Sequence, residues 1–189
     1  MLSGTLRIIG GKWRSRHLRF PALDKAIRPT PDPIRETVFN WLAPVIQDAV
    51  CLDPFAGSGA LGFEALSRGA RWVSFLDRSP PIVRYLRQQI EHFSVSDYAT
   101  AQLTRFPLTR FQSSGERFNL VFLDPPFHQG LLVPSLQYLD SQPILAPEAW
   151  VYIEYEAGLS LPALAAHWQL LRVKQRGKVG YGLLKRVSE

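Results

Sequence analysis

The chain has 189 residues, 46% of them apolar and 20% charged, which is enough for one hydrophobic core and too little for two full domains. No apolar run is long enough to cross a bilayer, and Met1 to Arg19 holds no apolar stretch of the secretory kind. The one cysteine, Cys51, sits in an apolar run and reads as a buried thiol, so a cytoplasmic protein without disulfides is expected. The formal net charge of +6 is unevenly placed. Residues 1–35 carry eight Lys/Arg against two acids, residues 36–171 carry eight against thirteen, and residues 172–186 carry six and no acid. Basic ends around an acidic body suggest a polyanion-binding surface.

In chain order, Leu6–Ile9 and Trp13–Phe20 flank Gly10-Gly11 and predict a hairpin with a basic face. Arg7, Lys12, Arg14, Arg16 and Arg19 are its candidate phosphate contacts, with Trp13 as a candidate platform for a base. Residues 28–33 (RPTPDP) form a stiff connector. A helix opening near Asp32, with Pro33 in its first turn, carries Val38, Phe39, Leu42 and Ile46. Strands and helices then alternate. The pattern predicts strands over 49–52, 72–76, 99–103, 119–123 and 150–155, and helices over 60–67, 81–93, 131–139 and 161–166. Strands over 169–174 and 181–187 finish the chain. Such alternation predicts an α/β fold with a mostly parallel sheet covered on both faces. In such a sheet ligands bind beyond the carboxyl ends of the strands, at Asp53–Gly59, Asp77–Arg78, Asp124–Phe127 and Glu154–Glu156.

Three of these exits carry chemistry. Gly57-Ser58-Gly59-Ala60-Leu61-Gly62 matches the dinucleotide fingerprint, but Asp53, Pro54 and Phe55 stand between the strand and the glycines. A carboxylate this close suits a ligand with a cationic head, such as S-adenosylmethionine, better than a pyrophosphate. Asp77 ends the second strand and can accept ribose hydroxyls or cap the next helix. Asp124-Pro125-Pro126-Phe127 is the most specific signal. The exocyclic amine of a base is a poor nucleophile because its lone pair is delocalised into the ring. Acceptors at the Asp124 carboxylate and the Pro125 carbonyl would favour a pyramidal nitrogen, consecutive prolines hold that carbonyl, and Phe127 offers a stacking face. His17, His92, His128 and His167 lack ligand spacing, so no metal is expected.

On these strings the chain resembles the RsmD family, bacterial small-subunit rRNA guanine-N2 methyltransferases. The resemblance runs almost end to end: RIIGGKWRSR at 7–16, RPT at 28–30, RETVFNWL at 35–42, LDPFAGSGALGFEALSRGA at 52–70, VFLDPPF at 121–127 and KVGYGLLKR at 178–186. It implies a class I S-adenosylmethionine-dependent methyltransferase fold, Rossmann-like, with seven strands of which the last is antiparallel. An N-terminal hairpin extension over residues 1–28 would precede a catalytic domain over 29–189. The donor implied is S-adenosyl-L-methionine, and the acceptor is the N2 amine of a guanine in 16S rRNA, within a small-subunit assembly particle, acted on by a monomer.

The candidate cofactor-binding set is Asp53, Phe55, Ala56, Gly57, Ser58, Gly59, Asp77, Arg78 and Thr104, and the candidate catalytic set is Asp124, Pro125, Pro126 and Phe127. Two departures from the family pattern bear on the cofactor. Phe75 stands where relatives carry an acid, and Leu103-Thr104-Arg105-Phe106 lacks the Asp or Asn found near the adenine. The rival readings are an amino-methyltransferase acting on adenine N6 or cytosine N4, and an NAD-dependent oxidoreductase. The latter would need a hydride-transfer site and a second nucleotide half, and neither is apparent.

Overall fold

The computed structural model describes residues 3–21, 29–105, 115–159, 161 and 165–187. The chain opens with an antiparallel pair, β1 (Ser3–Arg7) and β2 (His17–Pro21). Helix α1 (Asp32–Leu42) follows, with proline in its first turn, where the missing N–H costs no intrahelical bond. Then come β3 (Val50–Asp53), α2 (Ala60–Ser67), β4 (Trp72–Asp77), α3 (Pro80–His92), β5 (Ala99–Leu103) and β6 (Phe118–Leu123). Helix α4 (Leu132–Ser141), β7 (Leu145–Glu156), β8 (Trp168–Arg176) and β9 (Val179–Arg186) complete the described chain.

Seven strands form one sheet in the order β5-β4-β3-β6-β7-β9-β8. The first five run parallel, and β9 lies antiparallel to both β7 and β8. The chain order reverses between β3 and β6, which opens the crevice where such sheets hold ligands. The expected alternation and the antiparallel last strand are both present. The strand expected over 150–155 begins earlier, at Leu145, and residues 162–164 of the helix expected over 161–166 lie outside the described residues, as do Arg28 of the connector and Phe106.

The hairpin differs from its expected form. Gly10-Gly11 does not make a two-residue turn. Residues 8–16 form a longer connection containing a single 3-10 turn, Gly11–Trp13. Gly11 has φ +74°, and a Cβ there would lie 1.9 Å from the Ser67 carbonyl oxygen, so glycine is required for docking onto the end of α2. Trp13 donates its backbone N–H to Ser67 Oγ at 2.9 Å, and its ring packs on Phe93 at 4.5 Å. Only 7% exposed, Trp13 belongs to the core, so its expected role as a platform for a base is corrected.

Leu6, Ile8, Leu18 and Phe20 are buried in the same cluster as α1, α2 and α3, and α4 packs on the opposite face of the sheet. The hairpin therefore shares the main core. Cross-strand pairing sets Arg7 opposite His17 and Thr5 opposite Arg19, with all four exposed on the outer face.

A buried ionic network fastens the hairpin down. Glu64 of α2 is fully buried and accepts the N–H of Ile9 and of Gly10, each at 2.8 Å, and Nε of Arg68 at 2.7 Å. Arg35 of α1, also fully buried, lies 3.5 Å from Glu64. Its other nitrogens donate to the carbonyls of Arg7 (2.8 Å) and Thr30 (3.1 Å) and to Asp32 (2.6 Å). One guanidinium thus links the hairpin, the connector and two helices.

Candidate active site

The glycine-rich loop leaves β3 at Asp53. Gly57 and Gly59 have φ +49° and +75°, which L side chains rarely adopt. The two glycines differ in purpose. A Cβ on Gly59 would press on Phe63 at 2.7 Å, so that glycine serves helix packing. A Cβ on Gly57 would meet only the Phe55 carbonyl oxygen, at 3.8 Å, so the space above that residue is open. Ala56 donates its N–H to the Leu76 carbonyl at 2.9 Å, and Tyr85 donates its hydroxyl to the Ser58 carbonyl at 3.2 Å. The loop is therefore pinned to β4 and α3 from beneath.

Asp77 accepts the N–H of Gly57 at 3.0 Å and of Ser79 at 2.8 Å. Asp77 is not the N-cap of α3, a place that Ser79 holds without a side-chain capping bond; its carboxylate instead orders the glycine loop and the turn that leads into α3. Arg78 is exposed beside it. Thr104 donates its N–H to the Asp77 carbonyl at 3.0 Å, while its own hydroxyl oxygen is buried with no partner among the described residues. Phe75 is fully buried and packs against Phe63 with tilted rings, their centroids 4.8 Å apart. That position faces the core beneath α2, so the aromatic at this place supports packing and takes nothing from the loop above.

Asp53 is 2% exposed. Burial, with a smaller contribution from the charge of Asp77, pushes its carboxyl up to about 7 against a lowering by the Gly62 N–H. The folded state holds this proton more tightly than the unfolded chain, so the stabilisation is complete below the ordinary carboxylate value of about 4 and is lost as pH rises through about 7. We expect the melting temperature of the ligand-free protein to fall between pH 5 and 8, and Asp53→Asn to reduce that slope. An equal slope in the variant would contradict the assignment.

At the end of β6, Asp124 meets two residues remote in sequence. Thr30 Oγ1 lies 3.3 Å from Asp124 Oδ2 and 2.8 Å from Glu154 Oε1. Tyr152 donates its hydroxyl to the same Glu154 oxygen at 2.7 Å. Thr30 and Glu154 are each 3% exposed. Burial raises the Asp124 carboxyl well above the usual carboxylate range, and the charges of Glu154 and Asp53 raise it further. Burial raises Glu154 as well, against hydrogen bonds from Tyr152 and Thr30. Sequence reasoning marked Glu154 only as a strand exit and missed Thr30 and Tyr152. Thr30 stood in the RPT string, where the prolines drew attention to the backbone.

Pro125 is buried, while Pro126 and Phe127 are half-buried. Beyond them opens a cavity of about 480 Å³, lined by Pro125, Pro126, Phe127, Leu131, Glu156 and Leu159 among others, within the range of small-ligand sites. The carboxylate of Glu156 accepts the backbone N–H of His128, which holds the loop after Phe127 against β7.

Together these residues make an acidic crevice. Asp53, Asp77, Asp124 and Glu154 converge at the strand ends, and none forms an ion pair among the described residues. Carboxyls that burial holds partly protonated offer a pyrophosphate no cation, and a ligand bearing an ammonium and a sulfonium favours their ionised forms. The open space over Gly57, the orphaned Thr104 hydroxyl and the buried Asp53 fit S-adenosylmethionine. Among the described residues no group of three or more potential metal ligands is present.

Known proteins match this arrangement. The family model described as conserved hypothetical protein 95 matches residues 6–185. Ribosomal RNA small subunit methyltransferase D of Escherichia coli (strain K12) is 43% identical over 188 residues, covering 99% of this chain and 93% of that protein. The protein of the same name from Haemophilus influenzae is 39% identical over 183 residues, 95% of this chain and 93% of that protein. The solved structure described as putative methyltransferase yhhF from Escherichia coli superposes with a TM-score of 0.87 at 42% identity, covering 98% of this chain and all of that one. The sheet order, the reversed last strand and these matches make the fold that of the class I methyltransferases. This chain belongs to the RsmD family of methyltransferases, the one whose model is described as conserved hypothetical protein 95.

Proposed function

We propose that this protein transfers a methyl group from S-adenosylmethionine to the N2 amine of a guanine in small-subunit ribosomal RNA, acting as a monomer on an assembling small-subunit particle in the cytoplasm. The observation that carries the reading is the Asp124–Phe127 loop, set beside the open glycine loop at the reversal point of the sheet. The relatives named for small-subunit rRNA, at 43% and 39% identity, supply the substrate class. When bound, S-adenosylmethionine offers a methyl group on a sulfonium, which needs no activation by the protein. The task left to this chain is to make the amine nucleophilic. Asp124 accepts one amine N–H and the Pro125 carbonyl another, so the nitrogen turns pyramidal with its lone pair toward the methyl group. Phe127 stacks on the base, and the crevice excludes water. Transfer of labelled methyl groups to small-subunit particles, with base-resolved mapping, tests the reading. Label at guanine N2 supports it, and label at adenine N6 or cytosine N4 overturns the base assignment.

The loop geometry carries a binding prediction. Gly57→Val forces a β-branched residue into positive φ and fills the open space, and Asp53→Ala removes the buried carboxylate. Each should weaken S-adenosylmethionine at least about tenfold, or about 1.4 kcal/mol. Calorimetric titration checks this, and wild-type affinity in both variants would end the assignment.

The exposed cations of the hairpin carry another. Arg14, Arg16 and Arg19 are exposed, and Arg16 lies over the Phe93 ring at 4.3 Å. Because the hairpin shares the core, removing residues 1–20 would disturb more than RNA binding, and substitutions are the cleaner probe. Replacing the three arginines with alanine should lower RNA affinity and flatten its salt dependence by about 0.7–0.9 in log K per log salt for each phosphate left without its arginine. Filter binding over a salt series reads the slope. An unchanged slope would move the RNA to another face, with Arg172 to Arg186 the next candidates.

A further inference from the structure

We propose that Thr30 and Glu154 are positioning residues for methyl transfer: Thr30 bridges Asp124 to Glu154, fixes one oxygen of the Asp124 carboxylate, and passes to Glu154 the proton that the target amine releases. The inference rests on the amino-methyltransferase reading of the Asp124–Phe127 loop.

Hydrogen-bond accounting drives it. A threonine hydroxyl has one proton to donate and lone pairs to accept with. Thr30 Oγ1 lies 2.8 Å from Glu154 Oε1 and 3.3 Å from Asp124 Oδ2. It cannot donate to both. Tyr152, fully buried, also donates to Glu154 Oε1. The described groups facing this pair are Tyr152 on its own strand, Thr30 from the connector, Asp53 from β3 and Tyr181 from β9; no cation is among them. Two carboxyl groups this close, without a cation, take up a first proton more readily than either would alone, so the ionised pair is the form ready to receive one. With the proton on Asp124, its O–H points at Thr30, and Thr30 donates to Glu154. With the proton on Glu154, the pattern reverses and Thr30 donates to Asp124. The hydroxyl serves both states with no change in heavy-atom positions.

Methylation of an amine releases a proton that such a device can carry off. As the N–CH3 bond forms, the S–CH3 bond breaks and its electron pair stays on sulfur, which leaves as a neutral thioether. The nitrogen would then carry a positive charge, and one N–H bond breaks to discharge it. The electron pair of that bond stays on nitrogen, and the proton goes to Asp124. From there it moves through the Thr30 hydroxyl to the ionised Glu154, which restores the Asp124 carboxylate while the methylated base departs, and Glu154, which lines the cavity, then gives it up to water. Arg35 adds a fixed anchor, since its Nε donates to the Thr30 carbonyl at 3.1 Å and holds the hydroxyl in place.

Thr30→Val keeps the β-branched shape and removes the relay. Its multiple-turnover rate on small-subunit particles from a strain lacking the gene should fall at least tenfold, because the relay resets Asp124 after each transfer, with S-adenosylmethionine affinity within threefold of wild type. Thr30→Ser should restore most of the rate. Glu154→Gln removes a negative neighbour of Asp124, so the carbon-13 carboxyl titration of Asp124 in the ligand-free protein should move to lower pH by about one unit or more, and the acid limb of the pH–rate profile should move the same way. That titration needs no activity and shifts only if the two carboxyls are coupled. A wild-type rate in Thr30→Val, or an unmoved Asp124 titration in Glu154→Gln, would overturn the relay. Failure of the relay is separable from failure of the underlying reading. If Asp124→Ala loses transfer while Thr30→Val keeps it, only the relay falls; if Asp124→Ala keeps transfer, the carboxylate's role in the reading beneath it falls too.

Discussion

Asp124→Ala should fold, bind S-adenosylmethionine within a few-fold of wild type, and lose about a hundredfold or more in the single-turnover rate of methyl transfer. The reason lies in when the interaction matters. An acceptor aimed at an amine N–H gains little while the lone pair is still spread into the ring, and gains most as the nitrogen turns pyramidal. Groups that act mainly in the transition state change turnover and leave ground-state binding nearly intact. Losses of about 10² to 10⁴ are typical when one positioned proton acceptor is removed. Folding should survive because the substitution removes a carboxyl that burial and two neighbouring acids already disfavour in its charged form. Rapid-quench measurement with labelled donor reads the rate, and calorimetry reads the affinity. A near-normal rate in Asp124→Ala would mean that the Pro125 carbonyl and the stacking face suffice, and that the carboxylate does not activate the amine.

The largest effect on stability should come from Glu64, far from the chemistry. Glu64→Ala strands the N–H groups of Ile9 and Gly10 and removes the buried opposite charge of the fully buried Arg35, leaving it only the half-exposed Asp32 among the described residues. Removing one partner of a buried pair costs about 3–5 kcal/mol, because the surviving charge stays desolvated. For a chain of this size that corresponds to a drop in melting temperature of order 10 °C. Replacing Arg35 and Glu64 together by apolar residues of similar volume should cost less than Glu64→Ala alone, since no orphaned charge remains. Thermal melts of the single and double variants check this. A loss under about 1 kcal/mol for Glu64→Ala would mean that water reaches Arg35. The consequence also reaches the site. Arg35 holds both the Arg7 and Thr30 carbonyls, so a loosened network should release the hairpin and blur the Thr30–Asp124 contact together.

The α/β alternation, the bounds of most elements to within a few residues, the glycine loop after β3 and the Asp124–Phe127 exit of β6 are all legible in the chain alone. These are local signals. Apolar spacing of two or three to four residues, a proline at a helix start and a glycine at a turn act within one segment, and the chain states them directly. What each exit meets is a matter of how the segments come together. Thr30 and Asp124 are 94 residues apart, Thr30 and Glu154 are 124 apart, and Glu64 reaches back 55 residues to Ile9. The helical spacing of α2 places Glu64 among apolar residues without naming a partner, and a polar residue at such a place reads as an exposed one until its partners are seen. Trp13 is the converse case. Its basic neighbours suggested a solvent-facing platform, but the positive φ of Gly11 lets the loop fold against α2, and the indole turns inward onto Phe93. Side-chain direction in an irregular loop depends on the surface it docks against. That surface is assembled from α2 and α3, with Ser67 lying 54 residues beyond Trp13, so no local pattern could set it.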